Sequence, residues 1–141
     1  MSHLFTQWGA GHAPKIIVGG EKYFGWQTDA ASEEYRDFLR QFLTGLDRFL
    51  TENGLCKNVY FHISDEPALE HLEAYSKASG IVREILGDKY PIIDALSNYD
   101  FYQTGLVTTP VPSTDHFQTF YDNGVKGDLW TYYCCGQYKK V

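Results

Sequence analysis

Sulfur and proline are scarce in this chain. Its 141 residues include three Cys, one Met and five Pro. Cys56, Cys134 and Cys135 are odd in number and two of them are adjacent, which leaves no unstrained disulfide framework. No Cys-x-x-Cys pair or zinc-type Cys/His spacing occurs, so the thiols read as reduced and structural. Basic residues are also few: 12 Lys and Arg stand against 18 Asp and Glu, a formal net charge of −6. A general phosphate-backbone binder needs a clustered positive surface, so nucleic acid is not an expected partner. No apolar run approaches the ~20 residues of a membrane-spanning helix. Met1–Phe5 offers neither a basic n-region nor an apolar h-region, so no secretory signal is expected there. Gly9, Gly11, Gly19 and Gly20 match no phosphate loop or dinucleotide fingerprint and read as turns. No cofactor is implied.

Apolar residues are plentiful, at 43% of the chain, enough for a packed core and too many for a disordered polymer. Aromatics make up 16%; Tyr and Trp both fill cores and make platforms for partly apolar ligands such as sugars. The length suits one domain.

Residues 1–28 are Gly-rich and read as irregular, with a possible strand at Ile16–Val18. Residues 32–52 carry Tyr35, Phe38, Leu39, Phe42, Leu43, Leu46, Phe49 and Leu50 at three- and four-residue steps. This predicts an amphipathic helix capped by Ser32 and stopped at Asn53-Gly54. Asn58–Ile63 is a β-branched and aromatic strand candidate. Pro67 suits the first turn of a helix running to Leu86, with Leu69, Leu72, Tyr75, Val82, Ile85 and Leu86 inward and Gly87 closing it. Further strands are predicted at Pro91–Leu96, Leu106–Thr109 and Asp128–Cys134, with a short helix around Ser113–Asp122. Strands alternating with helices indicate an α/β fold of parallel βα units with right-handed crossovers. Strand starts near 58, 91, 106 and 128 approximate a (β/α) repeat. A complete (β/α)8 TIM barrel takes ~250 residues. The chain is therefore expected to be a small open α/β sheet or a piece of a larger barrel. Open sheet edges in such a piece predict self-association or a rearranged edge.

Barrel chemistry sits at the C-terminal ends of strands, and the reactive side chains gather there. Asp65 and Glu66 directly follow a strand. Adjacent carboxylates repel, so one tends to retain a proton in a partly dry site. A protonated acid beside an ionised partner is what general-acid cleavage of a glycosidic bond requires. Capping of the following helix is the competing use of the same pair. His62 lies one layer below them if it points inward, as a substrate contact or as a hydrogen-bonded core residue. A metal reading would join His62, Asp65 or Glu66, Asp94 and His116, but their spacing has no compact ligand motif, and no metal is expected. Trp130 and Tyr132 share one face of the last strand, Tyr132 near the rim and Trp130 deeper. They suit a sugar-binding wall, with core packing as the alternative.

Phe61-His62-Ile63-Ser64-Asp65-Glu66-Pro67 resembles the strand-four signature of glycoside hydrolase family 123 and its bacterial relatives. Trp130-Thr131-Tyr132-Tyr133-Cys134-Cys135-Gly136 resembles a second signature, and Leu4-Phe5-Thr6-Gln7-Trp8-Gly9 a third. The resemblance spans nearly the whole chain. It implies the central to C-terminal part of a (β/α)8 catalytic barrel, with residues 1–141 one partial domain of a longer protein. It also implies a β-N-acetylgalactosaminidase-type retaining glycosidase that acts on N-acetylamino-sugar glycosides. Catalysis would be substrate-assisted, through an oxazolinium ion. On this resemblance Asp65 orients and stabilises the acetamido group, Glu66 is acid and then base, and His62, Trp130 and Tyr132 contact the carbohydrate. The alternative is a non-catalytic carbohydrate-binding or structural piece of a barrel.

Overall fold

A computed structural model describes residues 2–5, 16–18, 20–24, 28–125 and 129–133. Strand β1 (Ser2–Phe5) is followed by a hairpin of β2 (Ile16–Val18) and β3 (Glu21–Phe24). Then come α1 (Glu33–Glu52), β4 (Val59–His62), α2 (Leu72–Leu86) and β5 (Ile93–Ala95). The order closes with α3 (Tyr99–Gln103), β6 (Thr109–Val111) and α4 (Phe117–Asp122).

The pairing is parallel and sequential. β1 lies beside β4 from Ser2↔Val59 to Phe5↔His62. A parallel bridge joins Phe61 to Ile92, reinforced by Phe61 N–H donating to Pro91 O at 3.0 Å. β5 pairs with β6, and Ser113 bridges in parallel to Tyr132. The neighbours therefore run β1, β4, β5, β6 and the Tyr132 segment, each helix lying between consecutive members. The strand order does not reverse among the described residues, unlike that of a doubly wound sheet. The β2–β3 hairpin is antiparallel and stands apart from this series.

Local chemistry accounts for α1. Ser32 Oγ accepts from Tyr35 N–H at 3.3 Å, and Glu33 and Glu34 occupy the first turn, where the helix dipole favours negative charge. Tyr35, Leu39, Leu43 and Leu50 are buried. Phe42 and Phe49, expected on the same face, are exposed: the apolar stripe is wider than the surface α1 covers. Phe42 instead stacks on Phe38 at 5.7 Å. Arg36 and Arg40 reach Glu84 of α2, tying the two helices. Phe61, Ile63, Tyr75, Leu96, Phe101 and Phe120 form the centre of the core. No described helix is long and apolar enough to cross a membrane.

Four expectations need correction. Within residues 1–28 the strand expected at Ile16–Val18 is present, but β1 and β3 stand where irregular chain is expected; β1 is recruited by pairing with β4 and β3 by pairing with β2. Pro67 does not open a helix. Ala68 is extended (φ −78°, ψ 159°), a 3-10 turn covers Leu69–His71, and α2 starts only at Leu72, which leaves Leu69 exposed. The third predicted strand moves from 106–109 to Thr109–Val111, because Leu106 O is taken by Ser79 Oγ at 3.3 Å and Arg83 Nη2 at 3.1 Å. The last predicted strand is reduced, within residues 129–133, to the bridge at Tyr132; Asp128 and Cys134 lie outside the described residues. Helix α3 was not foreseen, although Asn98 Oδ1 caps it by accepting from Asp100 N–H at 2.9 Å.

Candidate active site at the strand ends

The β4 strand ends at His62, and the chain then turns through Ile63, Ser64, Asp65 and Glu66. Glu66 adopts φ +42°, the one positive φ among the described non-glycine residues. Such a conformation costs a side-chain-bearing residue about 1–3 kcal/mol and persists where the surroundings impose it. Here Glu66 N–H donates to Ala95 O at 3.1 Å, so the end of β5 holds the turn. Neither carboxylate caps α2, whose N-cap is His71. The capping use of the pair is therefore removed.

Glu66 lines an open cleft of about 650 Å³. Pro67 and Ala68 continue its wall on the β4 side. Ser97, Asn98, Asp100 and Gln103 contribute from the β5–α3 segment, and His116 and Thr119 from the start of α4. Tyr132 completes the wall and its hydroxyl donates to Glu66 Oε1, fixing the carboxylate against the cleft. Asp65 is exposed and does not line this cleft. Trp130 does not line it either and is 47% exposed, not deeper than Tyr132 as expected.

A second set of side chains lies beneath. Asp94 on β5 is fully buried. Its Oδ1 accepts from Ile63 N–H at 2.8 Å and contacts His62 Nδ1 at 3.1 Å. Its Oδ2 accepts from the Tyr75 hydroxyl at 2.5 Å. Burial pushes the Asp94 carboxyl above its ordinary value, while His62, Tyr75 and the Ile63 amide oppose that rise. Burial, then the Asp94 charge, pushes the Tyr75 phenol well up, so it remains a donor. His62 thus sits on the strand as a hydrogen-bonded residue with 17% of its side chain exposed, and it is not part of the cleft wall.

A third group holds the β6–α4 turn. Ser113 Oγ donates to Asp115 Oδ1 at 2.6 Å and lies 2.9 Å from both His116 Nδ1 and Ser97 Oγ. The Ser113 hydroxyl, and then His116, hold the Asp115 carboxyl below the usual range. Sequence reasoning missed the roles of Asp94, Ser97, Ser113 and Asp115; the only available signal was their place just after or within strands. His62 and Asp94 meet, as the metal reading required, but no cluster of three His, Cys, Asp or Glu suited to a metal occurs among the described residues.

Comparison with known proteins bears on this arrangement. Among curated proteins none matches the chain. Its fold is similar to that of a family 123 glycoside hydrolase from Clostridium perfringens, studied for the details of glycolipid glycan hydrolysis. The TM-score is 0.56 at 19% identity, over 84% of this chain and 21% of that one, so the present chain spans about a fifth of that relative. The sequence model for the glycoside hydrolase 123 catalytic domain matches residues 1–140. The chain belongs to glycoside hydrolase family 123.

Proposed function

We propose that the protein carrying this chain is a retaining glycoside hydrolase acting on N-acetylamino-sugar glycosides, of the β-N-acetylgalactosaminidase type. Residues 1–141 would form the central to C-terminal part of its (β/α)8 barrel, with further chain supplying the remaining strands. The sequential parallel strand order supports that placement, since barrel strands wind in chain order. The observation that carries the functional reading is Glu66: a carboxylate on a held, positive-φ turn beyond a parallel strand, in the wall of a cleft, gripped by Tyr132.

The chemistry assigns two roles. The 2-acetamido oxygen of the sugar attacks its own anomeric carbon as the glycosidic C–O bond breaks. Glu66 gives its proton to the leaving oxygen, and an oxazolinium ion forms. Asp65 orients the acetamido N–H and stabilises the developing positive charge. Glu66, now ionised, takes a proton from water as that water attacks the anomeric carbon, which returns the acetamido group and the retained product. Consecutive carboxylates suit this scheme. A direct nucleophile–acid pair stands on separate elements ~5 Å apart across the bond. Tyr132 holds Glu66 and offers a carbohydrate contact from the cleft wall, whereas His62 and Trp130 stand outside that wall.

The full-length protein is tested on aryl N-acetyl-β-galactosaminide and N-acetyl-β-glucosaminide, with a thiazoline mimic of the oxazolinium ion as ligand. Turnover together with thiazoline binding tighter than that of the free sugar is expected. Sugar binding without turnover, and without preference for the thiazoline, would place the chain as a non-catalytic carbohydrate-binding barrel.

A further inference from the structure

Two residues of β5 grip the catalytic turn from both ends. Asp94 takes the start: its Oδ1 accepts from Ile63 N–H at 2.8 Å and meets His62 Nδ1 at 3.1 Å. Ala95 takes the end, its carbonyl accepting from Glu66 N–H at 3.1 Å. A fully buried carboxylate is costly to keep, and a core of this kind would pack an apolar side chain there unless the charge or its hydrogen bonds served a purpose. Neighbouring Ile92 and Ile93 pack as buried aliphatics, so the polar side chain is particular to position 94, where it accepts from Ile63 N–H and the Tyr75 hydroxyl.

We propose that Asp94 is a positioning residue of the active site, which fixes His62 in its Nδ1–H tautomer and anchors the 62–66 turn that presents Asp65 and Glu66. The argument is one of donor counting. The Tyr75 phenol occupies Oδ2 at 2.5 Å, and its only hydrogen points there. The Ile63 amide occupies Oδ1. With both oxygens engaged as acceptors, the contact at His62 Nδ1 is satisfied when that nitrogen carries the proton. The neutral ring then keeps Nε2 as its acceptor. The Ile63 bond fixes the backbone immediately beyond β4, and the Ala95 carbonyl fixes Glu66 three residues later. The strained Glu66 conformation is thereby held between two points on one strand. Outer residues that orient metal-binding side chains typically alter activity about 10–100-fold when removed, and an effect of that order is expected here.

The inference deepens the proposed function, and its test separates the two. The first measurement is the 15N imidazole spectrum of His62 in the full-length protein labelled on histidine, assigned with His62→Gln. A protonated Nδ1 and an unprotonated Nε2 are expected in the neutral ring. The Asp94→Ala variant removes the oxygen that accepts at this place, and its His62 should change toward the Nε2–H tautomer. An Nε2–H ring in the unaltered protein overturns the proposal even if Asp94→Ala does not fold. So does an unchanged tautomer in a folded Asp94→Ala. The second measurement is kinetic, on the aryl N-acetylhexosaminide: Asp94→Ala should lower kcat about 10–100-fold with KM changed less than about threefold. A variant that loses only thermal stability while retaining kcat assigns Asp94 to structure alone. The spectrum needs no turnover. Absence of glycosidase activity would therefore overturn the functional reading while the tautomer still decides the role of Asp94.

Discussion

The Tyr75→Phe substitution isolates one bond in the buried network. Phenylalanine fits the same space. It keeps the edge-on contact with Phe101, whose ring centroid lies 5.1 Å away at an interplanar angle of 88°. What disappears is the hydroxyl that donates to Asp94 Oδ2 at 2.5 Å. The other donors, Ile63 N–H and His62 Nδ1, both address Oδ1, so Oδ2 is left bare in a fully buried position. A hydrogen bond to a charged group contributes about 1.5–3 kcal/mol, and no water replaces the lost donor without opening the core. For a chain of this size a change of 1 kcal/mol moves Tm by roughly 2–4 °C, which predicts a fall of about 4–10 °C at pH 7. Circular dichroism melts of the wild type, Tyr75→Phe, Asp94→Asn and the double variant form a complete cycle. Since the two groups touch, a coupling of about 1–2 kcal/mol is expected. A Tm within about 1 °C of wild type for Tyr75→Phe, or strictly additive single effects, would refute the reading that this phenol supports the Asp94 charge.

The same carboxylate gives a pH prediction. Burial raises the folded-state value of Asp94 above its ordinary 3.8, so between those two values the folded protein binds the extra proton. The contribution of Asp94 is then fully present below about pH 4 and lost as pH rises through its folded value. The stability of wild type minus that of Asp94→Asn, from urea titrations at several pH values, should accordingly fall with rising pH; a difference that grows contradicts it. Under the proposed chemistry Glu66→Gln should cut hydrolysis of poor leaving groups about 10²–10⁴-fold and spare activated aryl glycosides more, whereas Asp65→Asn should slow both. Equal, mild effects would separate the pair from catalysis. Tyr132→Phe removes the hydroxyl that holds Glu66 while leaving a ring in the cleft wall, so kcat should fall with Tm within about 2 °C, given the half-buried position. An unchanged rate returns Tyr132 to a packing role.

Short-range signals in the sequence determined a good part of this protein. The three- and four-residue apolar rhythm, the Ser32 cap and the Asn53-Gly54 stop specify α1 almost to the residue, because a helix is held by bonds and caps within a few positions of each other. Val59–His62 and Ile93–Ala95 declare themselves as strands by composition. They also place Asp65 and Glu66 just beyond a strand end, where an α/β fold keeps its chemistry. Tertiary structure alone decided the rest. β1 and β6 exist where partners receive them, and α2 begins late because the turn at Glu66 is held by Ala95, outweighing the helix-start signal of Pro67. The exposure of Phe42, Phe49 and Trp130 is likewise a tertiary outcome, since their place in the apolar pattern alone predicts burial. The bonds that define the site join residues far apart in the chain: 32 positions separate His62 from Asp94, and 66 separate Glu66 from Tyr132. No local pattern encodes such pairings. They depend on strand register and on the side from which each ring or carboxylate approaches, and packing of the whole core sets both.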